Sequence, residues 1–363
     1  MQFGLNESQR ILQANARKFF AAECPMTEVR RIMETEHAHD EKLWSHMAKQ
    51  GFLGAIIPED AGGMGLGMVE LAALAEEMGR ALVPGAFISN VLAAAALHAA
   101  GSKKYLAEIA SGKTKATLAL VESSAKWDLD AVQMSALEGE KMFVPDAGVA
   151  DVILVAARDR GELALYAVDS KSLNKSPMPA VDLTRRLYKL SFHSGGELLA
   201  RGDAARNALE HALDIATVAL CAEMTGGMQR TLEIAVEYAK TRKQFGKPIG
   251  QYQAVQHQCA DMYLWTESSR SAAYYAAWAL DSAIPEARTA VSVAKVYASD
   301  AARETGNRGV QVQGGMGFTW ENDAHLFYRR AKASEIAFGD ATYHRERIAR
   351  QVIDQQRREA VNV

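Results

Sequence analysis

"ARNALEHALDIATVALCAEMTGGMQRTLEIAVEYAKTRKQ", Ala205 to Gln244, is one long run with helical periodicity, and it stops at "FGKPIG", Phe245 to Gly250. Gly246 suits a helix C-terminus and Pro248 cannot continue a helix, so the run ends there. A second helical run starts at Gln251, with Val255, Cys259 and Met262 on one face. A third starts near Pro285 and aligns Val293, Val296, Tyr297 and Ala301. The fourth is "YRRAKASEIAFGDATYHRERIA", Tyr328 to Ala349, a helix interrupted for one turn at Gly339 and then resumed. Four long helices with short links predict a bundle over 204–363.

Upstream the texture changes. "KATLALVES", "MSALEGEKMFVPDA", "DVILVAAR" and "LALYAVD" are short apolar or alternating runs broken by Gly, Asp and charges. They predict the strands of one antiparallel module, within a middle domain set at 111–203. Residues 1–110 read as helical. Asn6 with Gln9 has capping-box spacing, and Asp40 can cap "EKLWSHMAKQ", closed by Gly51. Leu71, Leu74, Ala75, Met78 and Leu82 form one stripe, and Ile56 to Gly67 is a glycine-rich loop. The fold expected is mainly α with a β insert, in three domains.

Composition bounds the function. The chain has 363 residues, is 48% hydrophobic and carries a net charge of −3 with both signs interspersed. No basic footprint points to nucleic acid. The N-terminal "MQFGLNESQR" lacks an apolar signal segment, and "VLAAAALHAA" is too short to span a bilayer. Cys24, Cys221 and Cys259 are odd in number and widely spaced, which reads as reduced thiols in a cytoplasmic protein. "HAHD", His37 to Asp40, lacks the further ligands a metal needs, so no metal site is expected. "GGMGLG", Gly62 to Gly67, is not a dinucleotide fingerprint and reads as a turn. His257 and Asp261, one helical turn apart, read as a hydrogen-bonded pair.

Two segments carry more. "KTRKQFGKPIG" gathers Lys240, Arg242, Lys243 and Lys247 at a helix end beside Phe245. Simple complementation of the helix dipole is one reading. The other is a nucleotide site, because a guanidinium offers a fork to pyrophosphate and an aromatic offers a face to a base. "QVQGGMGF" places Gln311 ahead of Gly314, Gly315 and Gly317. It is either a tight interhelix turn or a place where a ligand meets bare backbone.

Together these segments resemble the acyl-CoA dehydrogenase family along the whole chain. The carriers are "GFLGAIIPEDAGGMGLGMVELAALAEEMGRAL", "ATLALVES", "GEKMFVPDAGVADVILVAAR", "TRKQFGKPIGQYQAVQHQCADMY" and "QVQGGMGF". The resemblance implies FAD, an acyl-CoA thioester substrate and an electron-transfer flavoprotein as acceptor. The implied fold is a helical N-terminal domain, a β-barrel-like middle domain and a four-helix C-terminal domain, and the implied reaction is α,β-dehydrogenation in tetramers built as pairs of dimers. It also implies that the ADP half of FAD is held across a subunit interface by Arg242, Phe245, Gln311, Gly314, Gly315 and Gly317.

The flavin-ring half departs from the family. "ALVESSAKWD" keeps Glu122 but has Val121 for a threonine and lacks the A-G-S-D turn. "GEKMFVP" has Phe143 for tryptophan and Pro145 for the threonine near flavin N5. The base departs too. Phe338 stands at the family's usual glutamate, and Ala216 stands at the alternative base position on the first bundle helix. A general base contributes about 10²–10⁴-fold. Asp340, two residues past the usual place, is the tentative substitute, while Asp214, two residues before Ala216, should face away.

An intact ADP half beside a worn ring half and no base implies the β-type subunit of a heteromeric acyl-CoA dehydrogenase, expected as α2β2. Such pairs resemble bacterial enzymes acting on steroid side chains and other bulky CoA thioesters, and "GRALVPGAFISNVLAAAAL" is similar to that subgroup. Three alternatives stay open: a self-sufficient homotetramer using Asp340, a non-catalytic acyl-CoA or flavin-binding scaffold, and a flavoprotein of this fold doing other chemistry such as monooxygenation.

Overall fold

Asn6 and Gln9 do form a capping box. In the computed structural model, which describes residues 4–193 and 195–361, Gln9 N donates to Asn6 Oδ1 and Asn6 N to Gln9 Oε1, both at 2.9 Å. They open α1 (Glu7–Glu23), followed by α2 (Met26–Met33) and α3 (Glu41–Lys49). Asp40 caps α3 by accepting from Leu43 N at 2.8 Å. The glycine-rich loop leads to α4 (Met68–Arg80), α5 (Phe87–Ala99) and the short α6 (Leu106–Ala110).

The middle of the chain makes β1 (Ala116–Ala119), β2 (Glu138–Pro145), β3 (Val152–Asp159), β4 (Glu162–Asp169), β5 (Asn174–Met178), β6 (Leu187–His193) and β7 (Glu197–Arg201). They form one sheet in the order β1-β3-β4-β7 and another in the order β2-β6-β5. Ile153, Val155 and Val168 of the first sheet share a core with Val144, Leu190 and Phe192 of the second. This corrects the expected module in two ways. The sheets do not close into a barrel. The module is also not wholly antiparallel, because β1 pairs in parallel with β3. The physical reason is β2, which the intervening segment contributes to the other sheet, so the chain returns beside β1 by a crossover.

The C-terminal part contains α7 (Asp203–Thr241), the two-residue strands β8 (Lys243–Gln244) and β9 (Lys247–Pro248), α8 (Gln253–Asp281), α9 (Ala287–Gln313), α10 (Ala324–Ile336) and α11 (Ala341–Val361). Helix α9 packs against α8, α10 and α11. The fourth run, expected as a helix that breaks at Gly339 and resumes, is α10 and α11, parted at Phe338–Gly339.

The blocks 1–110, 111–203 and 204–363 mark changes of secondary structure, and compactness groups the chain differently. One unit joins the stretch up to Ala21 and Ala72–Leu82 to everything from Thr217 onward. The other comprises Ala22–Leu71 and Val83–Ala216.

In the first unit, α4 and α7 cross at glycines. A Cβ on Gly79 would lie 1.8 Å from Glu223 O, and one on Gly226 would lie 1.7 Å from Glu76 O. Ion pairs surround this crossing. Arg17 grips Glu77 through two bonds of 2.7 and 2.9 Å, and Arg80 grips Glu233 at 2.5 and 2.6 Å. Glu76 accepts from Arg270 Nε at 2.9 Å and from the Tyr274 hydroxyl at 2.8 Å. Bidentate forks of this kind fix orientation as well as charge. Among the described residues no helix is long and apolar enough to cross a membrane, and no group of three or more acidic, His or Cys side chains could hold a metal.

Candidate functional site

The residues expected on the ADP side lie in the first unit, at two turns. The first is the hairpin between β8 and β9. Its two central residues, Phe245 and Gly246, have φ of 51° and 82°. Two positive φ values in a two-residue loop make a type I′ turn, which suits glycine and costs a bulky side chain about 1–2 kcal/mol. Phe245 is 93% exposed despite that cost, so nothing in this chain explains its presence by burial. Tyr252 braces the hairpin, with its ring edge-on to Phe245 at 6.5 Å and its hydroxyl 3.2 Å from Gln244 O. Lys247 sits over the Tyr252 ring at 4.4 Å. Arg242 is exposed, and its guanidinium meets no carboxylate among the described residues.

The second turn follows α9. Gly314 closes that helix at φ 58° and ψ −140°, a conformation that side chains rarely adopt. A Cβ on Gly314 or Gly315 would meet nothing within 4 Å, so both present bare backbone to open space. Gly317 is a glycine for a different reason: its Cβ would fall 2.6 Å from Val310 O. Gln313 and Asn322 pin the turn with a 2.5 Å side-chain bond. Gln311 is exposed. Both turns rest on one apolar cluster. Ile249, just past the hairpin, and Val312, next to Gln311, pack with Leu232, Ala235, Ala239 and Met262. An unpaired guanidinium, a displayed aromatic and two open glycines at the same end of the bundle fit a nucleotide diphosphate well.

The base position lies elsewhere in the same unit. Phe338 is buried at 7% exposure and has φ of 58°. His344, fully buried, reaches back from α11 and its Nε2 donates to Phe338 O at 3.0 Å. That bond assigns the proton to Nε2, because a carbonyl can only accept. Burial, with Arg347 and Lys295 nearby, pushes the His344 imidazole down to about 3, so it is neutral. Lys295, also fully buried, donates to Ser334 O at 3.0 Å and Glu335 O at 2.8 Å, which caps the end of α10. Burial lowers this ammonium to about 8. Asp340 is exposed and caps α11: its Oδ1 accepts from Tyr343 N at 2.8 Å and its carbonyl from His344 N at 3.1 Å.

The remaining positions lie in the second unit. Ala216 is fully buried near the middle of α7, and Asp214 is also buried. Glu122 accepts from Gln133 N, from Met134 N and from Lys141 Nζ at 2.7 Å. Burial would raise this carboxyl, but Lys141 and the backbone donors together hold it below the ordinary range. Glu122 thus ties the β unit together, as does Lys141, which is fully buried. Phe143 occupies an irregularity in β2 at φ 55° and is 38% exposed. Pro145 contributes only its carbonyl, which accepts from Thr117 Oγ1 at 2.7 Å.

Sequence reasoning passed over Lys295, His344 and Glu223, which pairs with Arg330 between α7 and α10. A charged or polar residue on an otherwise apolar helix face was the available signal.

The comparisons agree with the residues. Residues 6–113 match the acyl-CoA dehydrogenase N-terminal domain, and residues 206–353 match its C-terminal domain. Acyl-CoA dehydrogenase IpdE2 of Mycobacterium tuberculosis is 30% identical over 90% of this chain and 92% of its own length. A variant of the Tcur3481-Tcur3483 steroid ACAD superposes with a TM-score of 0.88 at 28% identity, covering 96% of this chain and 99% of that one. The ChsE4-ChsE5 complex from Mycobacterium tuberculosis does so with a TM-score of 0.88 at 27% identity, covering 97% and 99%. Matched at both ends by the family's domains and along nearly its whole length by its members, the chain belongs to the acyl-CoA dehydrogenase family of oxidoreductases.

Proposed function

We propose that this chain is the base-lacking subunit of a heteromeric, FAD-dependent acyl-CoA dehydrogenase, with α2β2 composition, acting on a bulky CoA thioester such as a steroid side chain. One contrast carries the reading. The ADP-side groups stand free and displayed, while the base position holds a buried phenylalanine in a turn clamped by Lys295 of α9 and His344 of α11.

Bound FAD would supply the hydride acceptor for α,β-dehydrogenation. Arg242 would hold the pyrophosphate through its two-pronged guanidinium, and Phe245 would offer its ring to the adenine. Gly314 and Gly315 would let the cofactor approach the backbone directly. No group at Phe338 or Ala216 can take the α-proton, so a family partner would provide the carboxylate and the ring pocket. Asp340 serves α11 as a cap, which weakens the self-sufficient alternative. The steroid ACAD and the ChsE4-ChsE5 complex support a two-chain enzyme and a steroid-like acyl group. An electron-transfer flavoprotein would then accept the electrons.

The test is to purify the chain alone, and again with a family member that carries the glutamate. The lone chain should hold little FAD and show no bleaching by acyl-CoA, while the pair should do both. Full flavin occupancy and bleaching in the lone chain would overturn the proposal.

A further inference from the structure

A cleft of about 550 Å³ opens in the second unit, between the α2–α3 connection and the segment joining β5 to β6. It lies within the 300–1,000 Å³ range of small-molecule sites. One wall is apolar, made by Pro177, Met178, Pro179 and Leu183. The other carries Lys175, Arg186, His37 and Tyr188.

Among the described residues neither cation on that wall, Lys175 or Arg186, has a carboxylate at ion-pair distance. Arg186 spends its donors on carbonyls alone: Nε on Glu36 O, Nη1 on Leu183 O and Arg185 O, and Nη2 on Met33 O and Thr35 O, at 2.7–3.3 Å. This caps the end of α2, whose dipole offers roughly half a negative charge. Among the described residues no carboxylate pairs with it. Lys175 has a single partner, Ser170 Oγ at 2.6 Å, which leaves two ammonium protons unspent. Burial pushes the Lys175 ammonium down against the opposing fields of Asp151 and Asp169, so its positive charge is still held at a cost that a bound anion would reduce.

Two acidic residues also line the cleft, and neither cancels these cations. The Glu36 carboxylate is 87% exposed, with His37 Nε2 3.9 Å away as its neighbour. Asp182 is buried, and its Oδ1 accepts from Thr184 N and Thr184 Oγ1. The Tyr188 hydroxyl and His37 Nδ1 bond at 2.9 Å, and Gly148 makes room for them, since a Cβ there would lie 2.2 Å from that hydroxyl. A hydroxyl with one bond made can still serve a ligand.

We propose that this cleft binds a small amphipathic anion, with a carboxylate or phosphate head at Lys175 in the field of Arg186 and an apolar body against Met178 and the prolines. The site is separate from the nucleotide turns and does not depend on the β-subunit reading.

The full chain, labelled at its methionine methyl groups, is titrated with cyclohexanecarboxylate, cyclohexyl phosphate and the neutral cyclohexanecarboxamide, and the Met178 signal is followed by NMR. At least one anion should shift Met178 and bind at least about tenfold more tightly than the amide. The tighter of the two identifies the head group. Lys175→Gln should bring the anion to the level of the amide, while Lys175→Arg retains binding. Ala180→Trp, which fills the cleft, should abolish the shift at unchanged thermal stability. Equal binding of anion and amide, no Met178 shift with either anion, or an unchanged affinity in Lys175→Gln would each overturn the site.

Discussion

Single atoms decide much of this molecule. Gly226 and Gly227 are neighbours on α7, yet they face different constraints. A Cβ on Gly226 would sit 1.7 Å from Glu76 O, whereas one on Gly227 would find its closest atom, Gly79 O, at 3.8 Å. Backbone cannot swing aside as a side chain can. Gly226→Ala should therefore cost about 3 kcal/mol or more, at the upper end of overpacking penalties. Gly227→Ala should gain about 0.5–1 kcal/mol by relieving a mid-helix glycine. Urea denaturation of the two variants, side by side, checks both signs. His344 yields a second residue-scale prediction. Its folded value of about 3 lies below the ordinary 6.5. A depressed value means that the unfolded chain binds the extra proton first, so stability is complete above about 6.5 and is lost as pH falls toward 3. By pH 5 this single group removes about 2 kcal/mol. His344→Gln should flatten that part of the acid slope, read as the difference between variant and wild type in denaturation at pH 7.5 and pH 5. An equal slope in both would show that the ring does not govern it.

At the scale of elements, the break between α10 and α11 is where sequence and structure inform each other most. The long helical periods, the Asn6 and Asp40 caps and the stop at Gly246 were legible because each depends on neighbours within a few residues. The parallel pairing of β1 with β3 was not, since it depends on where β2 goes, and no local pattern records that. β5 was similarly hidden, because "NKSPM" is polar and contains a proline, as edge strands often do. The candidate site divides the same way. The resemblance to the family singled out Phe338, Asp340 and the ADP-side motifs, but the clamp by Lys295 and His344 comes from residues up to 43 and 6 positions away, which only the fold brings together. The Asp340 cap on Tyr343 N makes its role testable. As a cap, Asp340→Ala should cost about 1 kcal/mol, while Asp340→Asn, an equally good cap, should cost almost nothing. Asp340→Asn should also leave turnover of the assembled enzyme unchanged. A loss of turnover in Asp340→Asn with stability intact would restore the self-sufficient alternative. The hairpin gives the opposite signature. Arg242→Ala should leave stability within about 0.5 kcal/mol, because the side chain is exposed. It should weaken flavin retention in the complex about 10–100-fold, the worth of a charge-assisted pair.

At the scale of the whole molecule, the proposal concerns how half-sites add. On that proposal this chain offers an ADP half with every motif residue present and a ring half in which Val121, Phe143 and Pro145 stand where the resemblance implies other residues. Proline at that last place has neither a hydroxyl nor an N–H to offer. The large exposed apolar groups Phe245, Met316, Phe318 and Trp320 belong to the two displayed turns, which is the composition of a surface made to be covered. If a partner brings the ring half, each complete cofactor site takes one half from each chain type. A tetramer of two and two then contains two good combinations, the partner's ring half with this chain's ADP half. The reciprocal combination pairs this chain's worn ring half with the partner's ADP half and should stay empty. The purified complex should therefore carry one FAD per two chains, measured as flavin absorbance against protein mass. Restoring polar reach at the ring half, by Pro145→Thr with Val121→Thr, should raise that ratio toward one FAD per chain without adding turnover, because Phe338 still supplies no base. One FAD per chain in the unmodified complex would mean that the ring half works as it stands. The division of labour between the subunits would then rest on the missing base alone.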